Sequence, residues 1–350
     1  MKTSLANKYR PKTFEEICSQ ESVVESLSKQ VETGTFGNAY LLVGKTGAGK
    51  TTTARILGNS INKGLGEPIE IDAASNNSAE AMRELVKNAN QRSIDSEYKI
   101  IIIDEAHLLS SAAWNVLLKT LEEPPKYTIF ILCTTEEKKV PATIVNRTLC
   151  YHISAIPSNI INDRLCYIAE SEGFTNYKQS CEYISKNSDN SLRQAIANLE
   201  KVSYLGKDFS LKQTLRCLGS FSYNDLFDLT DALLDNNNDI EQIKTIIRVV
   251  EDIYLQGKDL KQFVHDYTVF ILDIIKYVTF KSFDLISIPE SMAEDIHAIT
   301  GNENSACLPI YRRISENLFT LSLIMNNTKD LKNTLELNLL KIKGGKDLCL

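Results

Sequence analysis

The chain has 350 residues, 43% of them hydrophobic and 24% charged, which is the composition of a globular protein large enough for two or three domains. It contains no run of about 18 apolar residues and no apolar stretch near its start, so we expect no membrane span, no secretory signal and a cytoplasmic location. Basic and acidic residues number 26 and 25 up to position 220 but 13 and 20 beyond it, which excludes a strongly basic nucleic-acid binder.

Apolar runs alternate with helical patterns over the first 155 residues. The apolar runs predict five strands, at residues 40–43, 69–71, 99–103, 128–133 and 149–153. Helical spacing predicts one helix before the first strand, at residues 21–32, and helices between the strands at residues 78–90 and 111–121. This alternation predicts an α/β domain over residues 1–155, with a parallel sheet and helices on both faces.

Pro157 ends the alternation, and the remaining chain has apolar spacing near 3.6 residues. The next helices are predicted at residues 160–171, 177–186 and 192–205, the last with Ser191 as its N-cap. Long amphipathic helices then run from Ser222 to about Leu340. We therefore expect a small helical segment over residues 156–207 and an all-α domain over residues 208–350.

The first predicted strand leads into the sequence GKTGAGKT at residues 44–51, and a predicted helix follows. Glycines allow backbone N–H groups to turn toward an anion, and the helix N-terminus adds partial positive charge. The lysine of such a loop reaches the β- and γ-phosphates, and its threonine binds Mg²⁺. The predicted residues for binding a nucleoside triphosphate here are Gly44, Gly47, Gly49, Lys50, Thr51 and Thr52.

A second motif, which is acidic, follows the buried strand predicted at residues 99–103. Asp104 is predicted to bind Mg²⁺ together with Thr51, because an unpaired charge at the end of a buried strand is costly. Glu105 is predicted to polarise the attacking water. Alternatively, both carboxylates cap the helix that follows. His107, which completes the sequence Asp-Glu-Ala-His, is expected to be structural rather than catalytic.

Three further residues are ambiguous by themselves. Thr135 ends the next strand, where it either contacts the γ-phosphate or reflects ordinary β-propensity. Arg147 and Arg193, each taken alone, are typical of solvated surface charges.

The eight cysteines are scattered and form no Cys-x-x-Cys pair, which argues against a zinc ribbon.

Together these motifs resemble AAA+ ATPases, and in particular the gamma/tau subunits of the bacterial DNA polymerase III clamp loader. The resemblance covers about residues 5–205. The segments that carry it are residues 8–14, 44–51, 70–77, 103–109, 115–125 and 130–135, together with Arg193.

The resemblance implies an ATP-driven subunit of a ring that opens a sliding clamp and loads it on primed DNA. Thr135 then corresponds to the first sensor and Arg193 to the second, both near the γ-phosphate of their own subunit. Arg147 corresponds to a finger that enters the ATP site of a neighbouring subunit. The segment that covers adenine corresponds to Tyr9, Arg10 and Pro11, and residues 208–350 correspond to a collar that holds the ring together.

The chain departs from the family pattern in two places. The arginine finger lies in Asn146-Arg147-Thr148 instead of the usual Ser-Arg-Cys. Residues 62–68 contain no cysteine where the family usually carries a zinc module, so the resemblance implies a short form that uses ATP and Mg²⁺ but no zinc.

Two other functions fit parts of the sequence. One is a scaffold subunit of the same ring that does not hydrolyse ATP, and the other is a helicase with an Asp-Glu-Ala-His motif. Direct DNA contact is a further hypothesis, resting on three basic residues of the region between the second and third strands: Arg83, Lys87 and Arg92.

Overall fold

A computed structural model describes residues 3–219, 221, 223–234, 240–283, 285–301 and 308–344. The chain divides into two compact units. The first comprises Met1–Glu172 and Ile184–Glu200, and the second comprises Gly173–Tyr183 and Lys201–Leu350. The chain thus leaves the first unit and returns to it once. The finer division at residues 155 and 207 stays a prediction.

The first unit contains a five-stranded, all-parallel sheet. Its strands are β1 (Ala39–Gly44), β2 (Ile69–Asp72), β3 (Lys99–Asp104), β4 (Thr128–Thr134) and β5 (Leu149–Ile153). They lie in the order β2-β3-β4-β1-β5, and each neighbouring pair is parallel. The predicted strands and the α/β fold class are therefore confirmed.

Helices connect the strands and follow them. They are α1 (Leu5–Lys8), α2 (Glu21–Thr33), α3 (Lys50–Ile61), α4 (Ala79–Ala89), α5 (Ser111–Glu122), α6 (Ala142–Val145), α7 (Ser158–Glu172), α8 (Lys178–Lys186) and α9 (Leu192–Ser203). Serine side chains cap α4 and α5: Ser78 Oγ accepts from the Ala81 N–H and Ser110 Oγ from the Ala113 N–H.

An apolar core packs against each face of the sheet, and successive side chains of a strand point alternately into the two cores. On β1, Leu41 and Val43 belong to one apolar core, while Tyr40 and Leu42 belong to the other. The first core includes residues of α4 and α5, among them Met82, Leu85, Trp114 and Leu117. The second includes residues of α2 and α3, among them Val23, Leu27, Ile56 and Leu57. The strands read as continuous apolar runs for this reason.

In the second unit, the residues described from 208 onward form helices and no strand. These helices are α10 (Leu211–Leu218), α11 (Tyr223–Leu234), α12 (Ile240–Leu255), α13 (Leu260–Phe280), α14 (Ala293–Thr300), α15 (Leu308–Asn327) and α16 (Leu331–Lys343). Ser222, where the sequence predicts the first long helix to start, lies outside the described residues. Inside this unit Tyr267 Oη lies 2.9 Å from Thr230 Oγ1, which satisfies two buried hydroxyls. None of the described helices has the length and apolar character needed to cross a bilayer.

Candidate active site

The loop after β1 has the conformation of an anion cradle. Gly47 and Gly49 have φ angles of +75° and +105°, a region that side chains with a Cβ rarely adopt. A Cβ on Gly44 would lie 2.4 Å from the carbonyl oxygen of Ile153 on the neighbouring strand. A Cβ on Gly47 would lie 2.0 Å from Ser191 Oγ. These three glycines are therefore required by local geometry.

Lys50 lies over this loop at the start of α3. Its side chain is buried, and Nζ donates to the carbonyl oxygens of Gly44, at 3.0 Å, and Lys45, at 3.1 Å. Both acceptors are uncharged, so these bonds position the ammonium group without neutralising it. The positive charge is available to a phosphate bound in the loop.

Thr51 and Asp104 meet, although they are far apart in the sequence. Thr51 Oγ1 donates to Asp104 Oδ2 at 2.7 Å, and Asp104 Oδ1 accepts from the Glu105 N–H at 3.0 Å. Asp104 ends β3, so its carboxylate lies at the edge of the sheet where ligands of open α/β sheets bind. A hydroxyl and a carboxylate are the oxygen ligands that Mg²⁺ prefers, so this pair fits that ion.

Glu105 adopts a left-handed backbone conformation, with φ at +49°. Its Oε2 atom lies 3.5 Å from Thr135 Oγ1 and 3.5 Å from His107 Nδ1. A non-glycine residue in this region is uncommon and often marks a functional position. The predicted base and the predicted first sensor are thus neighbours.

A cleft of about 260 Å³ contains most of the predicted ATP-binding residues. The predicted residues that line it are Tyr9, Arg10, Pro11, Gly47, Gly49, Lys50, Thr51, Thr52, Asp104, Glu105 and Arg193. Gly44, Thr135 and Arg147 are not among the residues that line it. The cleft therefore combines three cationic side chains with the acidic pair.

The N-terminal segment is attached to α7. Tyr9 Oη donates to Glu172 Oε1 at 2.7 Å, and the Tyr9 carbonyl accepts from Arg164 Nη2 at 3.0 Å. Arg10 follows and lines the cleft; burial lowers the pKa of its guanidinium, and Arg55 adds to this effect. These contacts hold Tyr9, Arg10 and Pro11 against one side of the cleft.

Arg147 lies at the surface, outside the cleft of its own chain. Its Nη2 atom is 2.8 Å from Glu122 Oε1, and Nη1 donates to the Thr143 carbonyl at 2.8 Å. Both side chains of the ion pair are partly exposed. Within its own chain, the Arg147 guanidinium is therefore paired with Glu122.

Sequence reasoning missed several residues that shape the site. Ser191 was predicted as an N-cap, and its Oγ does accept from the Gln194 N–H at 3.3 Å, but its contact with Gly47 was not foreseen. Arg164 and Glu172, which hold Tyr9, had no signal beyond being polar residues of a helix. All these contacts join positions far apart in the chain.

The basic residues proposed for DNA contact are exposed. Arg83 is 3.2 Å from Glu80 in the same helix, and the Arg92 guanidinium lies 4.4 Å from the ring centre of Tyr127. Their role in DNA binding stays a prediction.

Cysteine, histidine and glutamate side chains come together once among the described residues. Cys150 Sγ lies 3.9 Å from His152 Nε2, and His152 Nδ1 lies 4.0 Å from Glu137 Oε2. One ligand atom from each of Glu137, Cys150 and His152 lies within 4.8 Å of the other two, so the three side chains could hold a metal ion, although exposed groups of this kind are common without one. The predicted zinc-free loop 62–68 is a short turn between α3 and β2, and the absence of zinc stays a prediction.

Comparisons with known proteins identify relatives of this chain. A family model described as DNA polymerase III, delta subunit, matches residues 67–157. DNA polymerase III subunit tau of Bacillus subtilis (strain 168) is 32% identical over 77% of this chain and 51% of its own length. DNA polymerase III subunit gamma of Buchnera aphidicola subsp. Baizongia pistaciae is 32% identical over 73% of this chain and 75% of its own length.

Among solved structures, the RuvB Holliday junction branch migration motor of Thermotoga maritima aligns with a TM-score of 0.52. The alignment covers 65% of this chain and 80% of RuvB at 18% sequence identity, so it shows a shared fold and nothing finer. The match to the tau subunit spans about half of that relative, whereas the match to the gamma subunit spans most of it. This chain is a member of the family of DNA polymerase III gamma and tau subunits.

Proposed function

We propose that this chain binds ATP with Mg²⁺ in the cleft and hydrolyses it as a clamp-loader subunit. The observation that carries the proposal is the 2.7 Å hydrogen bond between Thr51 and Asp104. It joins the phosphate loop to the acidic end of β3, and that junction is what a magnesium-bound triphosphate requires.

Each residue of the site has a distinct part in the proposed reaction. The loop N–H groups and Lys50 bind the phosphates, while Thr51 and Asp104 hold Mg²⁺. When bound, Mg²⁺ neutralises charge on the phosphate oxygens. Glu105 orients and polarises the attacking water, and Thr135, its neighbour at 3.5 Å, acts as the sensor beside the γ-phosphate.

Two arginines stabilise the charge that develops on the transferring group. Arg193 lines the cleft of its own chain and acts there. Arg147 lies outside that cleft, and we infer that it acts in the ATP site of a neighbouring subunit. An arginine supplied across an interface contributes about 10³ or more in rate, so an isolated subunit hydrolyses ATP slowly.

The relatives give the proposed biological role. They are named as tau and gamma subunits of DNA polymerase III, and this chain covers about half of the first of them. We infer that the chain assembles with other clamp-loader subunits, opens a sliding clamp and loads it on primed DNA. ATP binding would favour the assembled ring, and hydrolysis would release the clamp.

The proposal is tested with four forms of the full chain: the wild type, Lys50→Ala, Glu105→Gln and Lys45→Ala. We expect Lys50→Ala to lose ATP binding, and Glu105→Gln to keep binding but lose hydrolysis. Lys45, an exposed lysine of the same loop, serves as the matched control and should keep both. ATP affinity and phosphate release are measured with and without clamp and primed DNA.

Two results would contradict the proposal. Full ATP affinity and turnover in Lys50→Ala would show that the loop does not bind the triphosphate. ATP binding without any hydrolysis by the wild-type chain, even in an assembled ring with clamp and DNA, would identify the scaffold alternative instead.

A further inference from the structure

The ring nitrogens of His107 lie within 3.5 Å of three residues around the site. Its side chain is only 8% exposed. Nδ1 lies 3.2 Å from Thr134 Oγ1 and 3.5 Å from Glu105 Oε2, and Nε2 lies 3.4 Å from Glu136 Oε1. The ring therefore bridges the predicted base and the turn that follows β4.

The surroundings of the ring fix its orientation. Thr134 Oγ1 also accepts from the Glu136 N–H at 3.0 Å, so the hydroxyl is held by the main chain. Glu136 is itself paired with Lys139 at 2.8 Å, and this ammonium group keeps the pKa of the carboxyl below its ordinary value. Oxygen atoms thus face both ring nitrogens, and a ring with a hydrogen on each nitrogen donates to Glu136 through Nε2 and toward Glu105 and Thr134 through Nδ1.

The Glu105 carboxylate needs a contact that holds it in one position. Its side chain is one-third exposed, and its Oε2 atom lies 3.5 Å from both Thr135 Oγ1 and His107 Nδ1. A carboxylate that polarises water must stay in one place, since a shift of about 1 Å can cost up to about 10² in rate. Thr135 is half-buried, whereas the His107 ring is also held by contacts with Thr134 and Glu136.

We propose that His107 is a positioning residue, which holds the Glu105 carboxylate beside Thr135 through a hydrogen on Nδ1. It does not touch the nucleotide; it acts through Glu105. The inference rests on the proposed ATP hydrolysis and adds a residue to it.

The test compares kcat and KM for ATP in the full chain. We expect His107→Ala to lower kcat about tenfold and to leave KM for ATP within about twofold. His107→Gln, whose amide can still donate toward Glu105, should recover part of kcat. His152→Ala, which replaces an exposed histidine of β5, is the control and should match the wild type.

A double-mutant cycle separates positioning from general damage. In Glu105→Asp the carboxylate is one methylene shorter and no longer reaches His107. Adding His107→Ala to this variant should change kcat by less than about twofold, because the contact is already lost. A further tenfold loss would show that His107 does not act through Glu105 and would overturn the proposal.

Because His107 is buried, its removal could disturb folding, so a surface variant tests the same contact. Glu136→Ala removes the partner of Nε2 and should lower kcat about threefold with KM unchanged. The adjacent Glu137→Ala changes the same charge without touching the ring and should have no effect. Equal rates for Glu136→Ala, Glu137→Ala and the wild type would refute the inference, as would an unchanged kcat in His107→Ala.

The two proposals fail in different ways. A wild-type chain that binds no ATP, or that never hydrolyses it in the ring, contradicts the proposed function. An active wild type with normal His107→Ala kinetics contradicts only the role of His107.

Discussion

Replacing Gly47 with alanine should damage the site through its contact with α9. The glycine has a φ of +75°, and an added Cβ would lie 2.0 Å from Ser191 Oγ and 3.0 Å from Ser191 Cβ. Ser191 comes directly before α9, which carries Arg193 into the cleft. The new methyl group must therefore displace the start of α9 or distort the phosphate loop.

Two costs add at this position. A residue with a Cβ in the left-handed region costs about 1–2 kcal/mol. Overpacking a close contact costs a further 1–3 kcal/mol or so. We expect Gly47→Ala to destabilise the first unit by about 2–5 kcal/mol, or to weaken ATP binding by a comparable amount if the strain is relieved by moving α9.

The chain offers a matched control and a suppressor. Gly49→Ala has a similar backbone cost, with φ at +105°, but nothing lies within 4 Å of its added Cβ. Ser191→Gly removes the atoms that collide and costs only a few tenths of a kcal/mol as an N-cap change. Gly47→Ala combined with Ser191→Gly should therefore recover about 1–3 kcal/mol.

The measurement is urea unfolding followed by the fluorescence of Trp114, the only tryptophan of the chain, which is buried against the sheet of the first unit. ATP affinity is measured on the same proteins. If Gly47→Ala costs no more than Gly49→Ala in both measurements, or if Ser191→Gly recovers nothing, the contact between the loop and α9 is not the source of the effect.

Three further predictions follow from single contacts. Thr51→Val removes the hydroxyl that contacts Asp104, so the Mg²⁺ concentration for half-maximal hydrolysis should rise at least about tenfold; an unchanged magnesium titration would contradict the assignment. Glu122→Ala frees Arg147 from a partly exposed ion pair worth at most about 1 kcal/mol, so the ATPase rate of the assembled ring should rise up to about fivefold, with the adjacent Glu123→Ala as control. Burial raises the pKa of Asp266 above its ordinary 3.8, so its ionisation opposes folding: stability falls as pH rises through the raised pKa. Asp266→Asn should therefore stabilise the chain at pH 7, and urea unfolding at several pH values should find that gain disappearing below about pH 4.

The sequence was sufficient to predict the sheet and the meeting of Thr51 with Asp104. Buried parallel strands are apolar on both faces, so β1, β3 and β4 were recognisable as short continuous runs. The meeting of Thr51 with Asp104 followed from topology, because the carboxyl ends of parallel strands lie at one edge of the sheet.

Contacts between distant polar residues could not be predicted in this way. Nothing in the sequence pairs Tyr9 with Glu172 or places Ser191 on Gly47, because such contacts depend on how loops and helices are packed. His107 was expected to be structural, and only the folded chain brings its Nδ1 atom within 3.5 Å of Glu105 Oε2. The return of the chain to the first unit at Ile184 likewise has no local signal.

The N-terminal segment that we propose as the adenine cover is attached to α7 and α9. Tyr9 is tethered through Arg164 and Glu172 of α7, and the Leu5 N–H donates to Glu200 of α9 at 3.1 Å. A swing of either helix would carry the adenine cover along with it. On the proposed function, nucleotide exchange would be coupled to whatever moves those helices, and a neighbouring subunit of the proposed ring would influence ADP release without touching the phosphate loop.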